Sequence, residues 1–123
     1  MLSHVSLGIA DLPRSRAFYD AVMPCLGAAR VWAGERGLGY GTPGREQLNL
    51  FEQPAGTPLP AGPGFHLAFT APDRAAVHAF HAAALTHGGH CEGPPGPRPA
   101  YSPSYYAAFV RDPDGHKLEV DYQ

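Results

Sequence analysis

The chain of 123 residues predicts an α+β fold made of two βαβββ modules related by a pseudo-twofold axis. Three observations carry that reading. The segment His4-Val5-Ser6-Leu7-Gly8-Ile9-Ala10-Asp11 returns 62 residues later as His66-Leu67-Ala68-Phe69-Thr70-Ala71-Pro72-Asp73. At the same offset Ala17-Phe18 meets Ala79-Phe80 and Gly27 meets Gly89. The two pieces also end alike, Leu48-Asn49-Leu50 against Leu118-Glu119-Val120, each a few residues after a glycine-containing turn. Internal repetition of this kind marks duplicated supersecondary units. The modules span about 1–53 and 65–123, with a linker at 54–64, inside a single domain of ordinary size.

Each element has a local reason. Residues 2–9 alternate, Val5, Leu7 and Ile9 on one face and His4, Ser6 and Gly8 on the other, as a half-buried strand does. Asp11 stands where a helix N-cap belongs, and Pro13 falls in the first turn, where its missing N–H costs nothing. Phe18, Val22, Cys25 and Leu26 keep helical spacing. Pro24 distorts the last turn and Gly27 ends the helix. Short strands follow near 29–33, 37–41 and 47–51. The second module repeats the order: a strand at 65–70, then a helix at about 73–87 with Val77, Phe80, Ala84 and Leu85 inward, stopped by Gly88-Gly89. Strands near 105–111 and 117–122 are joined by Asp112-Pro113-Asp114-Gly115, a strong turn signal. Proline and glycine crowd 52–64 and 93–104, where neither a helix nor an inner strand can form. The first cluster reads as the linker, the second as a long stiff loop walling a pocket.

Composition narrows the function. Hydrophobic residues make up 44% of the chain, but 19 of them are alanine, so large apolar side chains are few. Eight Arg and one Lys against eleven acids give a net charge of −2, which excludes a general nucleic-acid binder. No apolar run is long enough for a membrane span, and the N-terminus lacks the basic and apolar regions of a signal peptide. Two cysteines are too few for a disulfide scaffold, which points to the reducing cytoplasm. Phosphate loops, nucleophile elbows and zinc-finger cysteine pairs are absent.

Strand phase gathers the chemistry. Leu48 and Leu50 oppose Asn49, Leu67 and Phe69 oppose His66, and Leu118 and Val120 oppose Glu119. His4, Asn49, His66 and Glu119 therefore take equivalent places on the sheet face that the helices leave bare. Paired about a pseudo-twofold, they can converge on one cavity. Two imidazoles and a carboxylate with open positions suit a divalent ion, Fe above all, with Mn, Co, Ni or Zn tolerated. Asn49 would be a fourth ligand through its amide oxygen, or a hydrogen-bonding neighbour of the ion. Phe51 shares the phase of Asn49 and belongs to the pocket. Arg98, Tyr101, Tyr105 and Tyr106 are further pocket candidates, and no spacing singles out a catalytic residue. His78 and His81 read as a polar helix flank, Cys25 as packing and Cys91 as a strand-edge thiol.

These motifs resemble the vicinal oxygen chelate superfamily of glyoxalase I, bleomycin-resistance proteins, fosfomycin-resistance enzymes and extradiol dioxygenases. The carriers are His4 to Leu12 with Phe18-Tyr19, His66 to Phe69, and Asp112-Pro113-Asp114-Gly115-His116-Lys117-Leu118-Glu119. The resemblance spans essentially the whole chain. It implies a cup-shaped domain, a homodimer, and metal ligation by His4, His66 and Glu119. It also implies a small oxygen-rich substrate chelated to a Lewis-acidic ion, in a lyase, thiol transferase or dioxygenase. Glyoxalase I activity is disfavoured, because an amide at Asn49 stands where that enzyme has a glutamate base. The alternative is a metal-free ligand-binding protein of the bleomycin-resistance type.

Overall fold

A computed structural model describes all residues, 1–123. The elements follow the order β1 (Val5–Ile9), α1 (Leu12–Val22), a 3-10 turn (Met23–Leu26), β2 (Ala29–Ala33), β3 (Gly37–Thr42) and β4 (Arg45–Glu52). The second module runs β5 (Leu67–Thr70), α2 (Arg74–Thr86), β6 (His90–Pro97), β7 (Tyr106–Arg111) and β8 (Lys117–Tyr122). They form two four-stranded sheets of identical topology, β1-β4-β3-β2 and β5-β8-β7-β6. In each, the first and last strands of the module pair in parallel and the others antiparallel.

The helix starts and stops obey their local signals. Asp11 and Asp73 each accept a backbone N–H three residues on, from Arg14 and Ala76, a contribution of about 1 kcal/mol apiece. α1 stops at Val22, and the 3-10 turn that contains Pro24 closes on Gly27 at φ 75°. Leu7, Ile9, Leu48, Leu50, Leu118 and Val120 enter one continuous core with Phe18, Val22, Val77 and Phe80. Leu85 does not: it is exposed, and Ala76 is buried in α2 instead. The helix's apolar stripe lies a little off the predicted one.

The loop predicted at 93–104 is corrected in part. Residues 90–97 form β6, paired with β7 through Gly93↔Phe109 and Pro97↔Tyr106, with two register shifts. β6 tolerates three prolines because it is an edge strand, where a missing N–H faces solvent rather than a partner. Only the short stretch between β6 and β7 remains loop, folded tightly by Arg98 N–H to the Tyr105 carbonyl and Tyr101 N–H to the Arg98 carbonyl.

The β7–β8 turn does more than reverse the chain. Asp112 is buried and accepts from Tyr19 Oη at 2.6 Å and from the backbone N–H groups of Asp114 and His116. Asp114 takes the Arg14 guanidinium at 2.7 Å, the Ser15 hydroxyl and the Ala10 N–H. His116 Nε2 reaches the Gly8 carbonyl at 2.7 Å. One turn of the second module thus clamps β1 and α1 of the first. Burial, and next the Asp112 carboxylate, push the Tyr19 phenol well above its ordinary pKa, so it stays a donor.

Candidate metal and ligand site

Register places the polar residues in matching rows. Across the first sheet, Ser6, Asn49, Gly39 and Trp32 lie side by side. Across the second, the row is Ala68, Glu119, Phe109 and Gly93. Both rows lie opposite the core leucines and valines of the same strands, on the face without a helix. Asn49 and Glu119 are therefore equivalent, as strand phase predicts.

The second module gathers a tight cluster. Glu119 is only 2% exposed, and His66 Nε2 lies 2.7 Å from its Oε2. Tyr105 Oη donates to the other oxygen, Oε1, at 2.5 Å. Burial and then the Glu119 contact raise the Tyr105 phenol, which keeps its proton and holds the carboxylate in place. Phe109 floors the cluster, with the His66 ring edge-on at 5.8 Å. Lys117 Nζ and the Arg98 guanidinium also approach that ring, at 5.3 and 5.7 Å. A hollow of about 510 Å³ runs from His66 past Arg111 and Lys117 to Phe65 and the linker residues Pro60–Gly64. Linker residues thus wall the His66 edge of the cluster, a role their composition did not announce.

The corresponding row of the first module is neutral and aromatic. Trp32 Nε1 donates to Asn49 Oδ1 at 3.1 Å, and Phe51 lies against the indole with centroids 5.9 Å apart. The indole lies flat because β3 is bald beneath it: a Cβ on Gly39 would overlap Trp32 Nε1, and one on Gly37 would come within 2.8 Å of the ring. The alternation Gly37-Leu38-Gly39-Tyr40-Gly41 was the signal for this slot in the sequence.

The other candidates separate. His4 is exposed, bonds Ser3 through Nδ1, and lines a mostly apolar hollow of about 370 Å³ between β1, β5 and the 3-10 turn. Within one chain no group of three or more His, Cys, Asp or Glu side chains comes together to hold an ion. His66 and Glu119 meet; His4 does not join them. Arg98 stands at the rim, its guanidinium bound to the carbonyls of Pro94, Gly96 and Pro97. Tyr101 is exposed and packs edge-on against Tyr105 at 5.1 Å. Tyr106 is a correction: its hydroxyl pairs with His78 Nε2 on α2 at 2.6 Å and Arg74 covers its ring. It faces the helix, one step out of phase with Tyr105.

A family model described as the glyoxalase/bleomycin resistance protein/dioxygenase superfamily matches residues 1–120. The chain belongs to that superfamily. Among solved structures, a glyoxalase/bleomycin resistance protein from Albidiferax ferrireducens T118 is 36% identical at a TM-score of 0.87, covering 100% of this chain and 99% of that one. A glyoxalase-related enzyme from Fulvimarina pelagi is 24% identical at a TM-score of 0.74 (100% and 88% covered). A fosfomycin resistance protein from Mesorhizobium loti is 20% identical at 0.71 (100% and 92%). The last two share the fold. No curated protein matches the chain, and no helix is long and apolar enough to cross a membrane.

Proposed function

We propose that this superfamily member is a divalent-metal-dependent enzyme acting on a small, oxygen-rich, anionic substrate. The observation that carries it is the contact between His66 Nε2 and the buried Glu119 Oε2 at 2.7 Å. Two donors each about 2.0–2.2 Å from one ion lie roughly 3 Å apart, so a slight opening of this pair would admit Fe, Mn, Co, Ni or Zn. Burial argues in the same direction, since a desolvated carboxylate needs a cationic partner. His4 of a second copy would supply the third ligand, which makes the working unit a homodimer. When bound, the ion would polarise substrate oxygens as a Lewis acid. Lys117 and Arg98 beside Phe109 would attract and orient an anionic substrate, and Tyr105 would keep Glu119 aligned.

Elemental analysis of untagged protein tests the proposal. Stoichiometric metal that Glu119→Gln abolishes is the expected result; metal-free wild-type protein overturns it. Mixing His4→Ala and Glu119→Gln copies tests the shared site. Mixed dimers should regain one intact site in two, whereas a site within one chain would regain none. A second reading is favoured by the solvent-facing Trp32–Phe51 pair: a metal-free binder of aromatic ligands, of the bleomycin-resistance type. It predicts clean metal-free protein that binds aromatic drugs.

A further inference from the structure

The helix-covered face of the second sheet carries a Cys–His pair at its edge. Cys91 lies on β6, the outermost strand, and pairs in register with Val110, a core residue. Its side chain therefore points to α2, away from the row that holds Glu119 and Phe109. His81, a half-buried residue of α2, meets it with Nε2 3.2 Å from Sγ. A thiol donates and the bare nitrogen of a neutral imidazole accepts, so with its proton on Nδ1 His81 takes the Cys91 S–H. Burial, and then the neighbouring His78, lower the His81 pKa, so the ring is uncharged at neutral pH and open to the thiol proton. His78 itself is engaged elsewhere, its Nε2 2.6 Å from the Tyr106 hydroxyl. The Cys91 sulfur belongs to an exposed residue, within reach of a reactant from solvent. Cys25 is the contrast: half-buried, its Sγ donates to the Ala21 carbonyl at 3.8 Å, and burial raises its pKa.

We propose that Cys91 and His81 form a nucleophile–base pair, a modification site that takes up small disulfides reversibly. The Cys91 proton passes to His81 Nε2, and the thiolate attacks one sulfur of the disulfide. A bond from Cys91 Sγ to that sulfur forms as the disulfide's own S–S bond breaks. The leaving thiolate then takes the proton back from His81. One protein thiol and one small disulfide are consumed; one mixed disulfide and one small thiol are made, so the disulfide is itself the oxidant. Cys25 is engaged with Ala21, so the adduct persists until an external thiol reverses it. The pair lies across the sheet from Glu119 and does not rest on the metal reading.

The test uses the full chain and dithiodipyridine, a small uncharged disulfide whose released thiopyridone absorbs in the near ultraviolet. Peptide mass spectrometry assigns each adduct to its cysteine. At neutral pH Cys91 should react first, and about tenfold faster in the folded protein than in the urea-unfolded chain, the factor a hydrogen bond to a charged group carries. Cys25 should react slowly for as long as the protein stays folded. His81→Gln keeps a good helix former and loses the base, and should slow Cys91 to about the unfolded rate. His78→Gln, whose ring does not hold the sulfur, should leave Cys91 fast, which separates loss of the base from a general loosening of α2. Cys91→Ser should abolish the fast phase and leave metal content unchanged. Equal Cys91 rates in folded and unfolded wild type overturn the inference. So does a fast phase that maps to Cys25, or a folded His81→Gln protein whose Cys91 reacts as fast as wild type. The folded-to-unfolded ratio needs no variant, so it decides the matter even where His81→Gln fails to fold.

Discussion

The two modules share one topology and divide the chemistry unequally. Their four-residue rows correspond strand for strand: Ser6, Asn49, Gly39, Trp32 against Ala68, Glu119, Phe109, Gly93. Each row holds one polar residue on its last strand, one aromatic and one glycine. The aromatic and the glycine have exchanged strands. In the first module the ring reaches inward from the edge over a bald inner strand; in the second it grows from the inner strand beneath a bald edge. The difference has a physical consequence. The edge-strand indole can turn a donor onto Asn49, whereas the inner-strand Phe109 leaves Glu119 to His66 and Tyr105. A duplicated frame thus carries a neutral, aromatic half and a charged half.

The turns between the last two strands differ as well, and that contrast gives the largest expected effect. Asp112→Ala strands three donors in a buried place and should cost about 3–4 kcal/mol, read as a fall in denaturation free energy. The equivalent turn of the first module is exposed at Pro43, and Pro43→Ala should stay within about 0.5 kcal/mol. Equal losses would erase the asymmetry. Next, Glu119→Gln gives the second module a neutral amide like that of the first. Metal affinity by titration should drop by about 100-fold or more, because removing a ligand costs more than the roughly 10–100-fold lost with a contact that only supports one. Third, Gly39→Ala should displace the indole and cost about 1–3 kcal/mol as overpacking, with a red shift of Trp32 emission. Gly93→Ala, whose Cβ would meet Phe109 at 3.3 Å, should cost less. The smallest effect runs the other way: Asn49→Glu adds an anionic oxygen and should raise metal affinity roughly tenfold. Unchanged or weaker binding in a folded variant would set Asn49 apart from the ion.

Much of this was legible in the sequence because it depends on period and punctuation. Alternation around Leu7, Leu48 and Leu118, the caps Asp11 and Asp73, and the stop at Gly27 are local signals that packing reinforced. β6 was hidden because prolines at 94, 95 and 97 forbid an inner strand, and only its place at the sheet edge permits them. Tyr106 was misassigned among neighbouring tyrosines for want of a phase; its partner His78 lies 28 residues away. The equivalence of His4 and His66 under the repeat is sound, but equivalence within a chain does not bring two residues together. The inter-module clamp was invisible, since Asp112-Pro113-Asp114-Gly115 satisfies every local demand of a turn before it touches Tyr19.

That clamp also sets a timetable. Tyr19 and Arg14 wait for Asp112 and Asp114, which lie 93 and 100 residues further along. At about 5–20 residues per second, a growing chain needs roughly 5–20 s to bring those partners out. Until then the first helix has neither its carboxylates nor the second half of its core, and pairings this distant along the chain are slow to close. The first module is made first and completed only when the β7–β8 turn arrives, so the last contacts of its helix are set by residues about 100 positions further along.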